Sequence, residues 1–438
     1  MTIFRSYDVR GVYGRDIDED IMRRIGAAFS KFSTKTVAVA CDMRLSSESL
    51  KRAFIDGCSV DVIDCGCLPL GVGMLHALHK NDYAYITGSH LPAEWNGVKF
   101  FHKSGIGFHE RENKEIEKTF MIIRAKKSGK NVEKADRKAL LESYKKYAAN
   151  NIRPGKALHV VLDCGNGMAS VVAKEMFAGV GFNVESIFDT LDGAFPNRDS
   201  DPDGDALERL KKKVLSADIG IAYDGDGDRM VLLDETGRKL TPEQVSYLVL
   251  LGAGRQAGPV VANVECTRAI DDIAKKFGKR VVRVPVGHTF LMEGVERHKA
   301  CFGAESAAHY ALPCMAPFDD SMLVSIFAAS VLSNQGKKLS QIADEVKAYP
   351  FERVSFECPD SRKFIVVENL RRQFEKDYGN VTTLDGVRID FPDGWVLVRP
   401  SNTSPFIRLT AEAENIKILK RLKEKFSSLL VQEIGKQK

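Results

Sequence analysis

Three segments of this chain repeat one plan, in which a β-branched run ends at a polar residue and a helical pattern follows. They are 36–42 leading into 46–57, 159–163 leading into 168–180, and 260–265 leading into 269–277. Strands that alternate with helices make successive α/β units whose strands are largely parallel. At 438 residues the chain is too long for one core, so roughly two to four domains are expected. The weak self-similarity predicts three related α/β domains with mixed, largely parallel sheets. After Pro350 the character changes. Strand patterns over 351–356, 394–398 and 406–412, with helices over 364–378 and from Asn415 onward, predict a smaller C-terminal α+β domain. Polar or glycine-rich breaks at 150–155 and 252–258 separate the earlier units. The expected division is 1–150, 151–254, 255–350 and 351–438, with the four domains around a central cleft.

The run Asp224-Gly225-Asp226-Gly227-Asp228-Arg229 follows a short apolar strand pattern over 217–223. Three carboxylates at alternating positions repel unless a cation gathers them, and the glycines let the backbone curl to bring their oxygens together. With only hard oxygen donors and no histidine or cysteine adjacent, the cation expected is Mg²⁺. An EF-hand loop also starts with alternating acids, and Glu235 falls at its twelfth position. Its sixth position requires glycine, where this chain has Arg229, and it needs flanking helices. A solvated acidic turn is the other alternative, against which stands the apolar run 230–233 that follows at once.

Two further segments are candidates for chemistry. In Thr87-Gly88-Ser89-His90-Leu91-Pro92, the proline stops an immediate helix and leaves Ser89 on an exposed loop, where a nucleophile needs to be. Taken alone, it reads best as a turn serine bonded to its own backbone. G-x-S-x-G is absent, which argues against a serine hydrolase. In Arg399-Pro400-Ser401-Asn402-Thr403, followed by Arg408, hydroxyl, amide and guanidinium donors crowd together without an acid. That describes a phosphate clamp, and an ordinary turn describes it equally well in isolation.

Composition excludes several classes. Hydrophobic residues make up 44% and charged residues 28%, as in ordinary globular proteins. The net charge is +5, and its densest run, Lys417, Lys420, Arg421, Lys423 and Lys425, interleaves with apolar residues at helical spacing. That is a solvated helix face, so no nucleic-acid partner is expected. Nine thinly spread cysteines fit a reducing compartment, and Cys65-Gly66-Cys67 lacks the second pair of a zinc site. Arg5, Asp8 and Arg10 do not read as part of a signal peptide, and no apolar run reaches membrane-spanning length. A cytoplasmic protein without a membrane partner is expected; monomer and homo-oligomer fit equally.

Together the motifs resemble those of the α-D-phosphohexomutase superfamily, the phosphoglucomutases and phosphomannomutases, along essentially the whole chain. Phe4-Arg5-Ser6-Tyr7-Asp8-Val9-Arg10-Gly11 is similar to the family's opening F-R-x-Y-D-I-R-G. Residues 87–92 with Asn96-Gly97-Val98-Lys99 resemble T-A-S-H-N-P followed by N-G-x-K, 224–229 match D-G-D-G-D-R, and 399–403 match R-P-S-N-T. The resemblance implies a phosphoserine at Ser89, with Mg²⁺ held by Ser89, Asp224, Asp226 and Asp228. It places Tyr7, Arg10, His90 and Lys99 at the reaction centre, with Arg10 and Lys99 both candidates for proton handling or charge stabilisation. Arg229 would orient the substrate, and Arg399, Ser401, Asn402, Thr403 and Arg408 would hold a non-reacting phosphate.

The sugar loop departs from the family's G-E-x-S-G-H and G-G-E-M-S-A-H patterns. Here it reads Gly303-Ala304-Glu305-Ser306-Ala307-Ala308-His309, keeping Glu305 and His309 but placing Ala307 at the serine position. His288, in a V-G-H element, would line the same site, with a structural histidine as the equal alternative. Other departures are Gly88 for alanine, Leu91 for asparagine and Ser404 for glutamate. The implied activity is interconversion of hexose 1-phosphate and hexose 6-phosphate, mannose or glucose, through a hexose 1,6-bisphosphate. Glucosamine or pentose phosphate, or a non-catalytic sugar-phosphate sensor, are the alternatives.

Overall fold

The computed structural model describes residues 3–33, 35–124, 130–401 and 405–436. In the first domain the strand Thr36–Cys41 pairs in parallel with Asp61–Cys67 on one side and Asp82–Ile86 on the other. Trp95–Phe101 then turns back antiparallel against Asp82–Ile86. The second domain repeats this unit with His159–Asp163, Asn183–Ile187, Ile219–Tyr223 and Met230–Asp234 in the same four roles. The third repeats it with Val260–Asn263, Val281–Val284, Phe302–Ala304 and Tyr310–Ala311. Asp8–Val12 and Val132–Lys134 extend the first sheet at its two edges. The three domains are therefore related α/β units.

In every unit the third strand runs parallel to the first and hands over to an antiparallel fourth through a short loop. These loops, 87–94, 224–229 and 305–309, leave the carboxyl end of a parallel strand, where open α/β sheets bind ligands. The phosphoserine-like, acidic and sugar-loop motifs thus occupy one topological position three times over.

Side-chain alternation accounts for the layers. Val37, Val39 and Cys41 enter a core with Phe29 and Phe54 of the helices Glu19–Phe29 and Ser47–Gly57. Ala38 and Ala40, on the opposite face, enter a second core that continues through Leu162 and Tyr223 of the second domain to Phe302 and Leu323 of the third. The fourth domain is a five-stranded antiparallel sheet covered by the helices Asp360–Asp377 and Ile416–Lys436, with a separate core of Leu370, Phe374, Ile407 and Phe426. It meets the third domain through a small apolar contact of Val264 with Trp395 and Leu397, and through polar bonds such as Arg388 Nη1 to the Val264 carbonyl at 2.7 Å.

The helix expected over 168–180 is divided into a 3₁₀ turn, Met168–Val171, and a helix, Ala173–Gly179, because Val172 at φ −143° leaves helical geometry. Among the described residues no helix is long and apolar enough to cross a membrane. No disulfide joins any of the nine cysteines.

One buried acid ties the first and third domains together. Asp320 caps the helix Ser321–Ser333, accepts a 2.7 Å hydrogen bond from the Tyr144 hydroxyl, and lies where a Cβ on Gly71 would collide with it. Burial pushes its carboxyl up to about 7. A raised folded value means that its stabilising contribution is complete below the unfolded value near 4 and is lost as pH climbs to about 7. Asp320→Asn should flatten the fall in melting temperature between about pH 4 and 7; an unaltered profile would show that Asp320 is not the titrating group.

Candidate active site

Ser89 sits in the first hairpin loop with φ +50°, a left-handed conformation that costs a non-glycine residue roughly 1–3 kcal/mol. Its surroundings hold it there. Thr87 Oγ1 accepts from the Ser89 N–H at 2.8 Å and donates to Asp42 Oδ2 at 2.7 Å. Beneath the loop, the buried Arg44 guanidinium donates to the carbonyls of Ser89 (2.8 Å), Leu91 (2.6 Å), Pro92 (2.5 Å) and Trp95 (3.1 Å), and to Asp42 Oδ2 at 3.2 Å. Gly88 makes room for it: a Cβ there would lie 2.6 Å from the Trp95 carbonyl and 2.7 Å from Arg44 Nε. Gly88→Ala, although it restores the family motif, should cost about 1–3 kcal/mol in denaturant unfolding. Unchanged stability would mean that Arg44 and Trp95 can retreat.

The second loop brings Asp224, Asp226 and Asp228 together, all buried, with carboxylate oxygens within 4.8 Å of one another. Ser89 Oγ donates to Asp224 Oδ2 at 3.3 Å, and Gly225 allows the two loops to touch, since a Cβ there would stand 2.5 Å from the Ser89 carbonyl. Lys99, from Trp95–Phe101, donates to Asp226 Oδ2 at 2.8 Å and Asp228 Oδ2 at 2.5 Å. Arg198 supports this loop as Arg44 supports the first, bonding Asp163 Oδ1 at 2.9 Å and the Tyr223 carbonyl at 2.6 Å.

Burial pushes the Asp224 and Asp226 carboxyls up, and neighbouring aspartates add to it. Burial acts on Asp228 in the same sense, but Lys99 and His309 outweigh it and hold that carboxyl well below its usual range. Lys99 and Arg229 offset part of the charge at Asp224, and Lys99 part of that at Asp226, yet both carboxyls stay raised and so under-compensated. Asp226 Oδ1 and Asp228 Oδ1 are buried without a hydrogen-bond partner. Under-compensated negative charge, bare oxygens and an all-oxygen donor set fit a Mg²⁺-sized hard cation.

The third loop faces the second. His309 Nε2 stands 3.5 Å from Asp228 Oδ1 and 3.4 Å from Arg229 Nε, while its Nδ1 lies 3.4 Å from Glu305 Oε2. Glu305 Oε1 accepts from the Gly287 N–H at 2.7 Å and from Asn263 at 3.3 Å. His288 stacks on His309 at 5.9 Å and lies 3.5 Å from Asp319. Tyr7 reaches across from the first domain, its hydroxyl donating to the Val286 carbonyl at 3.1 Å and its ring packing over Gly287, whose φ of +139° suits glycine. Arg10, on Asp8–Val12, is held by Asp8 at 2.7 Å. His90 Nδ1 is 3.4 Å from Ser89 Oγ. Burial, aided by Arg229 and Arg10, pushes its imidazole down to about 2, so it is neutral at ordinary pH.

Four regions of the chain match the successive domain descriptions "Phosphoglucomutase/phosphomannomutase, alpha/beta/alpha domain" I (1–127), II (140–237) and III (242–349), and the C-terminal domain of the same enzymes (354–429). The chain belongs to the phosphoglucomutase/phosphomannomutase family. It is 32% identical to a probable phosphoglucosamine mutase of Methanopyrus kandleri, covering 98% of this chain and 97% of that one. It is 31% identical to a phosphomannomutase/phosphoglucomutase of Pseudomonas aeruginosa, covering 98% and 95%. A crystal structure of a phosphoglucomutase/phosphomannomutase family protein from Burkholderia thailandensis superposes with a TM-score of 0.89 at 27% identity, covering 99% and 97% of the two chains.

Within this member of the family, Ser89, His90, Lys99 and the three aspartates form one contact group, which Arg229 and His309 join to Glu305, His288 and Tyr7. The fourth-domain residues stand apart. Arg399 is buried against Glu265 at 2.8 Å, Ser401 is buried, and Arg408 faces a cavity of about 440 Å³ that also takes in Arg229 and Ala307. Asn402 and Thr403 lie outside the described residues. Ser306 does not replace the missing serine of the sugar loop; its hydroxyl points to Glu265 at 3.3 Å. Sequence reasoning passed over Asp42, Arg44, Arg198 and Glu265. Their signal was the acid at or just beyond the end of each unit's first strand, Asp42, Asp163 and Glu265, each of which takes an arginine.

Proposed function

We propose that the protein is a phosphohexomutase that interconverts hexose 1-phosphate and hexose 6-phosphate through a phosphorylated Ser89. The observation that carries this reading is the contact of Ser89 Oγ with Asp224 and of Lys99 with Asp226 and Asp228, in a site where Ser89, buried rather than on an exposed loop, is held in a strained, left-handed conformation. A sugar hydroxyl oxygen attacks the phosphorus on Ser89; the P–O bond to Oγ breaks, the hydroxyl gives up its proton and Oγ takes one, and a hexose bisphosphate forms. After the bisphosphate reorients, Ser89 Oγ gives up that proton and attacks the other phosphate; the bond from its phosphorus to the sugar oxygen breaks, that oxygen takes the proton, and the isomeric monophosphate leaves. Asp224, Asp226 and Asp228 would hold Mg²⁺, which when bound supplies a counter-charge to the transferring phosphoryl oxygens. Burial lowers the Lys99 amine, but Asp226 and Asp228 reverse that and hold it well above its usual range. Lys99 therefore acts as a fixed positive charge beside the phosphoryl group rather than as a base.

Glu305, His309 and His288 present acceptors and donors to sugar hydroxyls, and Arg229 orients the ring. Ala307 offers no hydroxyl, so one sugar position is read less strictly. That, with the similarity to proteins named phosphoglucosamine mutase, keeps glucosamine phosphate as the second substrate class. Coupled detection of 6-phosphate products from mannose, glucose and glucosamine 1-phosphates tests the reading and ranks the sugars. Turnover of at least one, lost in Ser89→Ala, is expected; no turnover above that variant's background with any of them would remove the mutase reading.

A further inference from the structure

Cys65 and Cys67 are neighbours in the sequence, but folding makes a different pair. The strand Thr36–Cys41 runs in register with Asp61–Cys67 until Val39 meets Asp64. There the second strand takes up one extra residue, Cys65, so that Ala40 faces Gly66 and Cys41 faces Cys67. Gly66, at φ +79°, supplies the left-handed backbone of this bulge. Without it Cys41 would stand against a glycine. Cys65 turns into the core that the first three domains share, whereas Cys41 and Cys67 both pack on the core beneath the helix Ser47–Gly57.

The two thiols are hydrogen-bonded to each other. Paired positions on adjacent strands stand roughly 4.8 Å apart, within the roughly 4.4–6.8 Å Cα separation that a disulfide spans. Cys41 is buried, with Sγ 3.8 Å from Glu48 Oε2; Cys67 is half-buried and touches Met168 Sδ of the second domain at 3.9 Å. The hydrogen bond from Cys41 draws the Cys67 thiol down against its burial, helped by Arg137 and Lys51. The same bond, with burial, pushes the Cys41 thiol well up. Thiolate character therefore collects on the more accessible sulfur, which is the division between an attacking and a resolving cysteine.

Both sulfurs adjoin the supports of the Ser89 site. Asp42, next after Cys41, accepts from Thr87 Oγ1 at 2.7 Å and from the Arg44 N–H at 3.0 Å, and these two residues hold the Ser89 loop. Met168, against Cys67, donates its N–H to the Gly225 carbonyl of the acidic loop at 2.9 Å. We infer that Cys41 and Cys67 are a peroxide-sensitive pair whose disulfide, closed across the two strand ends, slows phosphoryl transfer at Ser89. The Cys67 thiolate attacks one oxygen of hydrogen peroxide; the O–O bond breaks, the departing hydroxide takes up the proton that the thiol released, and a sulfenic acid remains. The Cys41 sulfur then attacks the Cys67 sulfur, the S–O bond breaks, and hydroxide leaves with the Cys41 proton as a second water. Two thiols and one peroxide thus give one disulfide and two waters, and a dithiol reductant reverses the bond by exchange. Bonded sulfurs stand roughly 2.05 Å apart, so the strand ends draw together and carry Asp42 and Met168 with them. The disulfide stands on its own geometry, and its effect on turnover rests on the mutase reading.

The test treats the reduced full chain with hydrogen peroxide and follows intact mass, peptide mapping and initial rates with mannose, glucose and glucosamine 1-phosphates. The expected result is the loss of two hydrogen atoms, a Cys41–Cys67 cross-link, and a rate lowered by about fivefold or more that dithiothreitol restores. Cys67→Ser should work within about twofold of the parent rate and keep that rate under peroxide, which separates the pair from oxidation of the exposed Cys314. Cys41→Ala should stop at a Cys67 sulfenic acid that dimedone captures. Cys41 and Cys67 left unlinked by peroxide, or an equal loss of rate in Cys67→Ser, would overturn the inference. A cross-link formed at an unaltered rate would overturn the coupling to Ser89. If the cross-link formed but the reduced protein turned over none of the three sugars, the mutase reading would fall while the disulfide stood.

Discussion

Asp226→Ala is expected to lower turnover on the order of a thousandfold or more while leaving the protein folded. The side chain is buried, bonded to Lys99 at 2.8 Å, and one of its oxygens has no hydrogen-bond partner. Its carboxyl is pushed up by burial and by Asp228, so its ionised form near neutral pH works against stability in the absence of a cation. Removing it relieves that repulsion, and Lys99 retains Asp228 at 2.5 Å. In chelator, the variant's melting temperature should equal or exceed that of the parent. Added Mg²⁺ should then stabilise the parent and not the variant, because only an intact cage gains by binding. Full activity in the variant, or loss of activity through unfolding, would contradict the account of the acidic loop.

Arg44→Ala is expected to act in the opposite way, on fold and activity together. The guanidinium is buried, paired with Asp42 and bonded to three carbonyls of the Ser89 loop and to that of Trp95, where the next strand begins. Breaking a buried pair leaves an uncompensated carboxylate at a cost of about 3–5 kcal/mol, and the four carbonyls lose their donors too. Ser89 keeps its left-handed backbone only while the loop is held, so activity should fall by more than the loss of stability explains. Arg44→Lys should be intermediate, since an ammonium cannot span five acceptors in a plane. Denaturant unfolding and initial rates on the same preparations read both effects. A stable Arg44→Ala protein with normal rates would show that the loop holds Ser89 without this support.

Much of the fold was legible because each α/β unit carries its own signals. The strand patterns over 36–42 and 260–265 appear as Thr36–Cys41 and Val260–Asn263, and that over 159–163 as His159–Asp163. The opening strand Asp8–Val12 was not legible as a strand. It is five residues long, carries Asp8 and Arg10, and owes its pairing to Trp95–Phe101, nearly ninety positions away. The three loops were legible as motifs, but not as equivalents. Their shared place between a third and a fourth strand appears only when the sheets are assembled.

Glu265 shows what local reading misses. In the sequence it closes a strand pattern, and the segment 399–403 contains no acid. Folding carries this carboxylate from the third domain onto Arg399 and Arg353 of the fourth. Charge balance across a domain boundary leaves no mark in the spacing of either segment.

The most direct measurement is intact-mass analysis of the purified protein before and after incubation with glucose 1,6-bisphosphate and Mg²⁺, with peptide mapping of any adduct. The account predicts a single phosphate on Ser89, absent in Ser89→Ala, that passes to a hexose 1-phosphate when one is added. A protein that never carries phosphate on Ser89 under these conditions would contradict it and make sugar-phosphate sensing the better reading of the site.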